Sequence, residues 1–284
     1  MSMKAIAIIS ICLLFYPEIN GQDLMVRGII HATETGDIVP FVSISSKSSN
    51  VLLAIGNSSG EFGFNPLLPN DTLVFSCVGF EDYYIPAHNL STTEINHISL
   101  LSKSFLLSEV VISPGQMKEE VLGIDNVPEK AMTFSYGIFN YSAFAHLYKL
   151  KNRPSRIESA SIHIGKNNIG EFVLRCRITK TKQNNVPGND LLEANLVVKS
   201  DISQGWVTFD LSGYDLWIDE KKVFLVIEVL QDINYAEYKN ALGLVNTPGF
   251  SYVKEGGTLI SILPERWLYD DRRIVSHLRV AYTD

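Results

Sequence analysis

The sequence predicts an all-β protein built as two consecutive sandwiches, and three observations lead there. Apolar and polar residues alternate at period two in short runs, which turns one face of each run inward. Gly, Pro, Asn and Asp interrupt those runs at short intervals, as in "TETGD" and "GNSSG". Between residues 24 and 111 no helix of useful length is evident. The chain has 284 residues, 46% of them hydrophobic and 19% charged, which is enough for two folded domains. The expected division is a signal segment over 1–21, a sandwich over 22–112, a linker over 113–132 and a second sandwich over 133–284.

The start of the chain reads as an export signal. Lys4 supplies positive charge, "AIAIISICLLFY" from Ala5 to Tyr16 is apolar, and "PEING" relaxes into small and polar residues. Cleavage is expected between Gly21 and Gln22. The competing reading is a retained membrane helix, for which the run is short. Ile11 before Cys12 is not the small residue that a lipoprotein signal uses. Removal of the signal leaves Cys77 and Cys176, read as free buried thiols rather than a disulfide. Asn57, Asn70, Asn89 and Asn140 each begin an N-x-Ser/Thr triplet, of consequence only in a host that glycosylates exported chains.

The first sandwich begins with "LMVRGIIHA". Thr35-Gly36-Asp37 is a turn, after which Val39, Phe41 and Ser43 are placed on one side of a strand. Asn57 to Gly60 forms a loop, and Phe62 and Phe64 point to one face. In "PNDTLVFSCVGFEDYYI", Leu73, Phe75 and Cys77 oppose Val74, Ser76 and Val78, a strand covered on both sides. Gly79 turns the chain and Tyr83 to Ile85 return. "EINHISL" and "LSEVVIS" add strands. Residues 113–132 carry two prolines and poor alternation, with a brief helix expected around Gln116 to Leu122. Phe134, Tyr136, Phe139, Tyr141, Phe144 and Tyr148 follow, read as edge or core packing, with ligand stacking as the alternative.

The second sandwich is expected from "RIESASIHIG", "GEFVLRCRITK", "ANLVVKS", "GWVTFDLS", "KVFLVIEVL", "GLVNTPGFSYV", "GTLISIL" and "RIVSHLRVAY". In the first of these, Ile157, Ser159 and Ser161 alternate imperfectly with Glu158, Ala160, Ile162 and Ile164. Phe172, Leu174, Cys176 and Ile178 against Val173, Arg175, Arg177 and Thr179 predict a half-buried strand. The strand count suits a jelly-roll-like sandwich. Glu228, alone in "FLVIEVL", is expected to pair with an arginine such as Arg175 or Arg177, because a buried charge needs a partner, with a functional acid as the competing reading.

Several pieces of the first domain, in order, resemble the carboxypeptidase regulatory-like domain of exported Bacteroidetes proteins. They are Gly28, Thr35-Gly36, Pro40, Gly60-Glu61-Phe62, Asp71, Leu73, Phe75-Ser76, Gly79-Phe80 and the closing Leu107 to Val111. The resemblance covers residues 24–112 and implies a transthyretin-like β-sandwich in an envelope protein. It carries over no catalytic residue. "PGNDLLEANLVVKS" and "GWVTFDLSGYDLWI" resemble the C-terminal part of small exported proteins of the same class.

Catalytic signatures are not found in a setting that supports them: Gly56-Asn57-Ser58-Ser59-Gly60 spells Gly-x-Ser-x-Gly but reads as a loop between strands, not a strand-to-helix elbow. None of His31, His88, His97, His146, His163 and His277 begins a His-Glu-x-x-His helix, and His163 meets Glu158 only through the tertiary fold. No Gly-x-Ser-x-Gly elbow surrounds Ser43, Ser76 or Ser251. Cys176 lies in an alternating strand, and "EGGTL" reads as a hairpin turn. No cofactor or metal is expected. A formal charge of −7 and pI of about 5.4 argue against nucleic acid as partner. Asp210, Asp215, Asp219 and Glu220 cluster in sequence; their spacing is no EF-hand loop and they read as exposed turn acids, with a sugar or calcium site as the alternative. Trp206, Asp210, Tyr214, Asp215, Trp217 and Trp267 are the candidate ligand-binding residues, with core packing as the competing reading. The expected protein is a non-catalytic exported envelope protein in the periplasm, at the outer-membrane periphery or on the cell surface. Its partner is an envelope protein or a glycan. Carbohydrate binding or processing by the second sandwich is the alternative.

Overall fold

Period-two burial organises the chain from its first strand onward. The structure, a computed structural model, describes residues 25–65, 70–103, 115–135, 142–152, 154–230, 247–254, 256–263 and 266–283. The expected signal segment, Tyr136, Phe139, Tyr141, Asn140 and the Leu107 to Val111 strand lie outside the described residues. The described chain is all-β, apart from two short 3-10 turns.

In chain order the first sandwich contains β1 (Val26–Ala32), β2 (Ser43–Ser46), β3 (Leu52–Ile55), β4 (Glu61–Phe64), β5 (Thr72–Ser76), β6 (Tyr83–Pro86) and β7 (Ile95–Leu100). One sheet has the order β4-β1-β7, with β1 and β7 parallel; the other has the order β3-β2-β5-β6. Ile30, Ile44, Leu73, Phe75 and Leu100 close the space between them. Phe62 and Phe64 share a face as expected, their ring centroids 6.0 Å apart. Gly28 has a steric reason. A Cβ there would lie 2.4 Å from the Phe62 ring on the neighbouring strand. Asp71 is buried and accepts from Ser46 and from the Thr72 amide. The Ser46 hydroxyl is the main cause holding its carboxyl below the usual range.

The second sandwich contains β8 (Met117–Gly123), β9 (Met132–Phe134), β10 (Ser142–Lys149), β11 (Ser155–Lys166), β12 (Phe172–Thr181), β13 (Pro187–Asp190), β14 (Leu196–Ser200) and β15 (Gly205–Asp210). It continues with β16 (Trp217–Ile218), β17 (Lys222–Leu230), β18 (Gly249–Val253), β19 (Thr258–Leu263), β20 (Arg266–Asp270), β21 (Arg273–Ile274) and β22 (Ser276–Thr283). A seven-stranded sheet runs β13-β12-β17-β10-β19-β20, with β14 also on β12. An eight-stranded sheet runs β21-β18-β11-β22-β8, with β15 and β16 on β11 and β9 on β18. The chain crosses between the sheets from β10 to β11 to β12, and again from β17 to β18 to β19. This alternation fits the jelly-roll-like expectation.

Three sequence expectations are corrected here. Met117–Gly123, expected as linker with a brief helix, is a strand paired along its length with β22. Its exposed charged side chains hide the pairing, which is made by backbone. The row of Val39, Phe41 and Ser43 does not form, because Phe41 has φ +57° and breaks the extended chain. Val39 enters the first core, while Phe41 packs on the second sandwich. The third concerns β12, which is buried on both faces rather than one. Its second face, with that of β17, is covered by the first sandwich.

That cover is an interdomain junction. Phe41, Leu52 and Ile55 pack with Ala143, Ala145, Val173, Phe224, Val226 and Leu230. Each large side chain so buried contributes roughly 1.5–3 kcal/mol. Beside them, the Glu228 carboxylate accepts from Arg175 Nη1 and Arg177 Nη1, each at 2.9 Å. Arg177 also holds Asp190 through two bonds of 2.8 and 2.9 Å. Arg175 and Glu228 are each 3% exposed, so these are fully desolvated charges. Arg175 then reaches across the junction and donates to the Phe41 carbonyl, while Asn195 donates to the Pro40 carbonyl at 3.1 Å. Gly79, at φ +86°, brings the first domain so close that a Cβ would lie 2.5 Å from the Glu193 carbonyl. Cys77 and Cys176 are free and buried as expected, and burial pushes both thiols up.

Arg175→Ala leaves Glu228 partly unpaired in the interior and is expected to cost about 3–5 kcal/mol in urea unfolding. The double change Arg175→Met with Glu228→Leu should recover a large part of that loss. A single-variant loss below about 1 kcal/mol would show that the network is not holding the junction.

Candidate functional site

The outer face of the eight-stranded sheet collects polar and aromatic side chains because its strands bury the alternate set. On β11, Ile157, Ala160, Ile162 and Ile164 face the core. A bulge between Ile157 and Ser159 explains the imperfect alternation there: one extra residue restores the phase. Arg156, Ser159, Ser161 and His163 therefore face out. On β15, Val207 and Phe209 face in, and Trp206, Thr208 and Asp210 face out. On β22, Leu278 and Val280 face in, and His277 and Arg279 face out.

Register assembles these into rows. Trp206 stands opposite His163, Thr208 opposite Ser161 and Asp210 opposite Ser159. On the other side of β11, His277 stands opposite Ser161 and Arg279 opposite Ser159. The half-buried Trp206 indole is flanked by two imidazoles, with centroid distances of 5.1 Å to His163 and 4.8 Å to His277. Ser161 and Thr208 hydroxyls are 2.9 Å apart, and Ser251 Oγ lies 2.8 Å from His163 Nδ1. Burial holds both imidazoles below their ordinary pKa. For His277 the Ile124 carbonyl and Asp125 oppose that effect.

The Ser251–His163 pair has the spacing of a nucleophile and base but not their setting. Ser251 is 3% exposed and His163 is 6% exposed. Among the described residues no carboxylate is hydrogen-bonded to that imidazole. The pair ties β18 to β11. Among the described residues there is also no group of three His, Cys, Asp or Glu side chains placed to hold a metal.

The six residues singled out from sequence fall into three places. Trp206 and Asp210 share the outer face of β15, and Trp217 extends that face on β16 opposite Arg156. Trp217 Nε1 donates to Asp215 Oδ1 at 2.9 Å, and the Arg156 guanidinium lies 5.7 Å from the indole centroid. Asp215 and the exposed Tyr214 belong to the 3-10 turn and its cap that lead into β16. Asp210 accepts from the Ser212 amide and hydroxyl, which lower its pKa. Glu158 is held by Arg156 at 2.6 Å, so it does not meet His163 as a catalytic pair. Trp267 is elsewhere, on β20 of the other sheet, packed against the junction cluster. Sequence reasoning missed His163, His277 and Ser251 as neighbours of Trp206. The outward parity of "SASIHIG", "GWVTFD" and "SHLRV" was the available signal, but it leaves strand order open.

No family model matches the chain, and no curated protein matches it. Two similar solved structures are of Cwp84 from Clostridium difficile. One holds the cysteine protease and lectin-like domains of this surface layer associated protein, at TM-score 0.37 and 8% identity over 55% of this chain. The other is Cwp84 after propeptide cleavage, at TM-score 0.40 and 10% identity over 78% of this chain. The infectious bursal disease virus Gx strain structure matches at TM-score 0.32 and 10% identity over 91% of this chain. The matched regions span 37%, 53% and 60% of those chains, respectively. Likeness at this level carries no argument about site or activity.

The imidazoles generate a pH dependence. Besides His163 and His277, half-buried His146 has its pKa pushed down to about 4 by burial and by the Arg273 charge. Its Nδ1 lies 3.1 Å from the Gly257 carbonyl. All three have folded pKa values below the unfolded value of about 6.5, so the unfolded chain binds more protons as pH falls. Their contribution is present above about pH 6.5 and is lost below it, with His146 accounting for at most about 3 kcal/mol by pH 4. Urea unfolding should be flat from pH 8 to 7 and weaken steadily from pH 6.5 to 5. A flat profile across that range would contradict the buried neutral imidazoles.

Proposed function

We propose that this is a non-catalytic recognition protein of the bacterial cell envelope, which presents the outer face of its eight-stranded sheet to a ligand. The observation that carries the reading is Trp206, held between two imidazoles on a sheet whose other face is core. Such a ring offers a preformed contact with little ordering cost. The second sandwich is braced by the first through the Arg175–Glu228 junction, which gives the face a rigid support. The N-terminal apolar run supports export, and the resemblance of residues 24–112 to the carboxypeptidase regulatory-like, transthyretin-like module supports an envelope location. A catalytic role has little support. The buried thiols have raised pKa values, the Ser251–His163 pair is closed to solvent, and the acids near Trp217 are engaged by Arg156 and the indole itself.

The second reading, carbohydrate processing by the same sandwich, would need two convergent acids across a cleft. Asp210 is bound to Ser212 and Asp215 to Trp217, which favours binding over bond cleavage.

The test uses the purified mature chain and the envelope fraction of its native host. Thr208 is exposed near the centre of the face, and Thr208→Arg should lower association at least tenfold without changing the circular dichroism spectrum. Equal association of a folded Thr208→Arg protein would place recognition on another surface.

A further inference from the structure

The geometry points to an extended, neutral oligosaccharide as the ligand of this face, lying along β15 and β16 from Trp206 to Trp217. The inference rests on the recognition reading above and specifies its chemistry.

Three observations support it. The first is spacing. Trp206 and Trp217 stand opposite His163 and Arg156, at the two ends of one outward row of β11. At about 3.3 Å per residue, less the bulge, that separates the indoles by about 20 Å, a span that suits about four pyranose rings in an extended chain. The second is the strip between them. Thr208, Asp210 and Ser212 are exposed, and Ser159 is half-buried beside them. Asp210 commits Oδ1 to Ser212, and its exposed Oδ2 is available to accept from a hydroxyl. Rings at the ends and hydrogen-bonding groups between them match a sugar chain, which has C–H faces and a hydroxyl rim.

The third observation is charge. Arg156 is paired with Glu158 at 2.6 Å and faces Asp215 at 3.8 Å, while Arg279 bonds Glu119 at 3.4 Å. Both outward-facing arginines along this strip are therefore answered by carboxylates. A polyanion gains affinity by capturing unpaired cations, so nucleic acids and uronic acid polymers are poor candidates here. A neutral polyol does not need them.

The experiment is titration calorimetry of the full mature chain with linear β-1,4-linked glucose, xylose and mannose oligomers of increasing length. Single-stranded DNA and polygalacturonate serve as charged comparators. Affinity for one neutral series should rise at least tenfold from the dimer to about the tetramer or pentamer and then level off. Trp206→Ala and Trp217→Ala should each abolish that rise while leaving melting and circular dichroism near those of the parent. Trp206→Phe keeps a ring and serves if the alanine variant does not fold. Tyr269→Ala, on the exposed edge of the other sheet, should bind as the parent does. Absence of binding to all three series, length-independent affinity, or parental binding by both folded tryptophan variants would each overturn the inference. If no oligosaccharide binds but Thr208→Arg still lowers envelope association, the recognition face stands and the oligosaccharide inference falls. If Thr208→Arg also leaves envelope association intact, both readings fall.

Discussion

A carboxylate in an apolar strand has to be answered, and the answer that Glu228 receives organises the molecule. Two guanidiniums from β12 hold it, and Asp190 balances the second. Arg175 still has donors to satisfy, and its Nη2 donates to the Phe41 carbonyl of the other domain. The polar centre of the second sandwich is thus completed by the first. Phe41 adopts a left-handed backbone there, a conformation that surrounding contacts must sustain. The apolar cluster around Phe41, Leu52 and Phe224 supplies the driving force for docking, and the directional bonds select one register for it.

This junction has a consequence for function. It covers β12, β17 and β10 on the side away from their own core, so the seven-stranded sheet is packed on both faces there. Among the described residues the outer face of the eight-stranded sheet has exposed positions at Thr208 and Asp210 on β15 and at Arg279 on β22, with Trp206 and Trp217 half-buried beside them. Several side chains on that face are mutually engaged, arginine with glutamate, hydroxyl with hydroxyl and His163 with Ser251, while His277 Nδ1 is buried without a hydrogen-bond partner among the described residues. Groups so engaged are poorly placed to exchange protons with a substrate and well placed to hold a fixed surface.

Much of the architecture was legible because strand alternation is local. Phe62 with Phe64, Leu73 with Phe75, and the opposed rows of β17 follow from parity alone. That Glu228 would pair with Arg175 or Arg177 was the favoured of two sequence readings, from the cost of an isolated buried charge, and the structure shows it held by both. Other features were not legible, each for a physical reason. β8 is paired through its backbone with a strand more than a hundred and fifty residues away, and its local run of exposed charged residues shows no strand alternation, although Glu119 meets Arg279 of that partner. The bulge near Glu158 disguised a regular strand as an irregular one. The backbone of Phe41 depends on a carbonyl acceptor wanted by the other domain. Trp206, Asp210 and Trp217 were identified as residue types, but their place on one face with His163 and His277 required strand order.

By itself, then, the sequence determined that the chain would form strands, which residues would share a strand face, and that Glu228 would need a cation. These are consequences of backbone periodicity and of desolvation, both of which act within a strand or on a single group. Tertiary structure alone decided which faces would meet, that the first sandwich would close one sheet of the second, and that an indole would stand between two histidines. Those outcomes depend on pairings between distant segments, for which neighbouring residues hold no record.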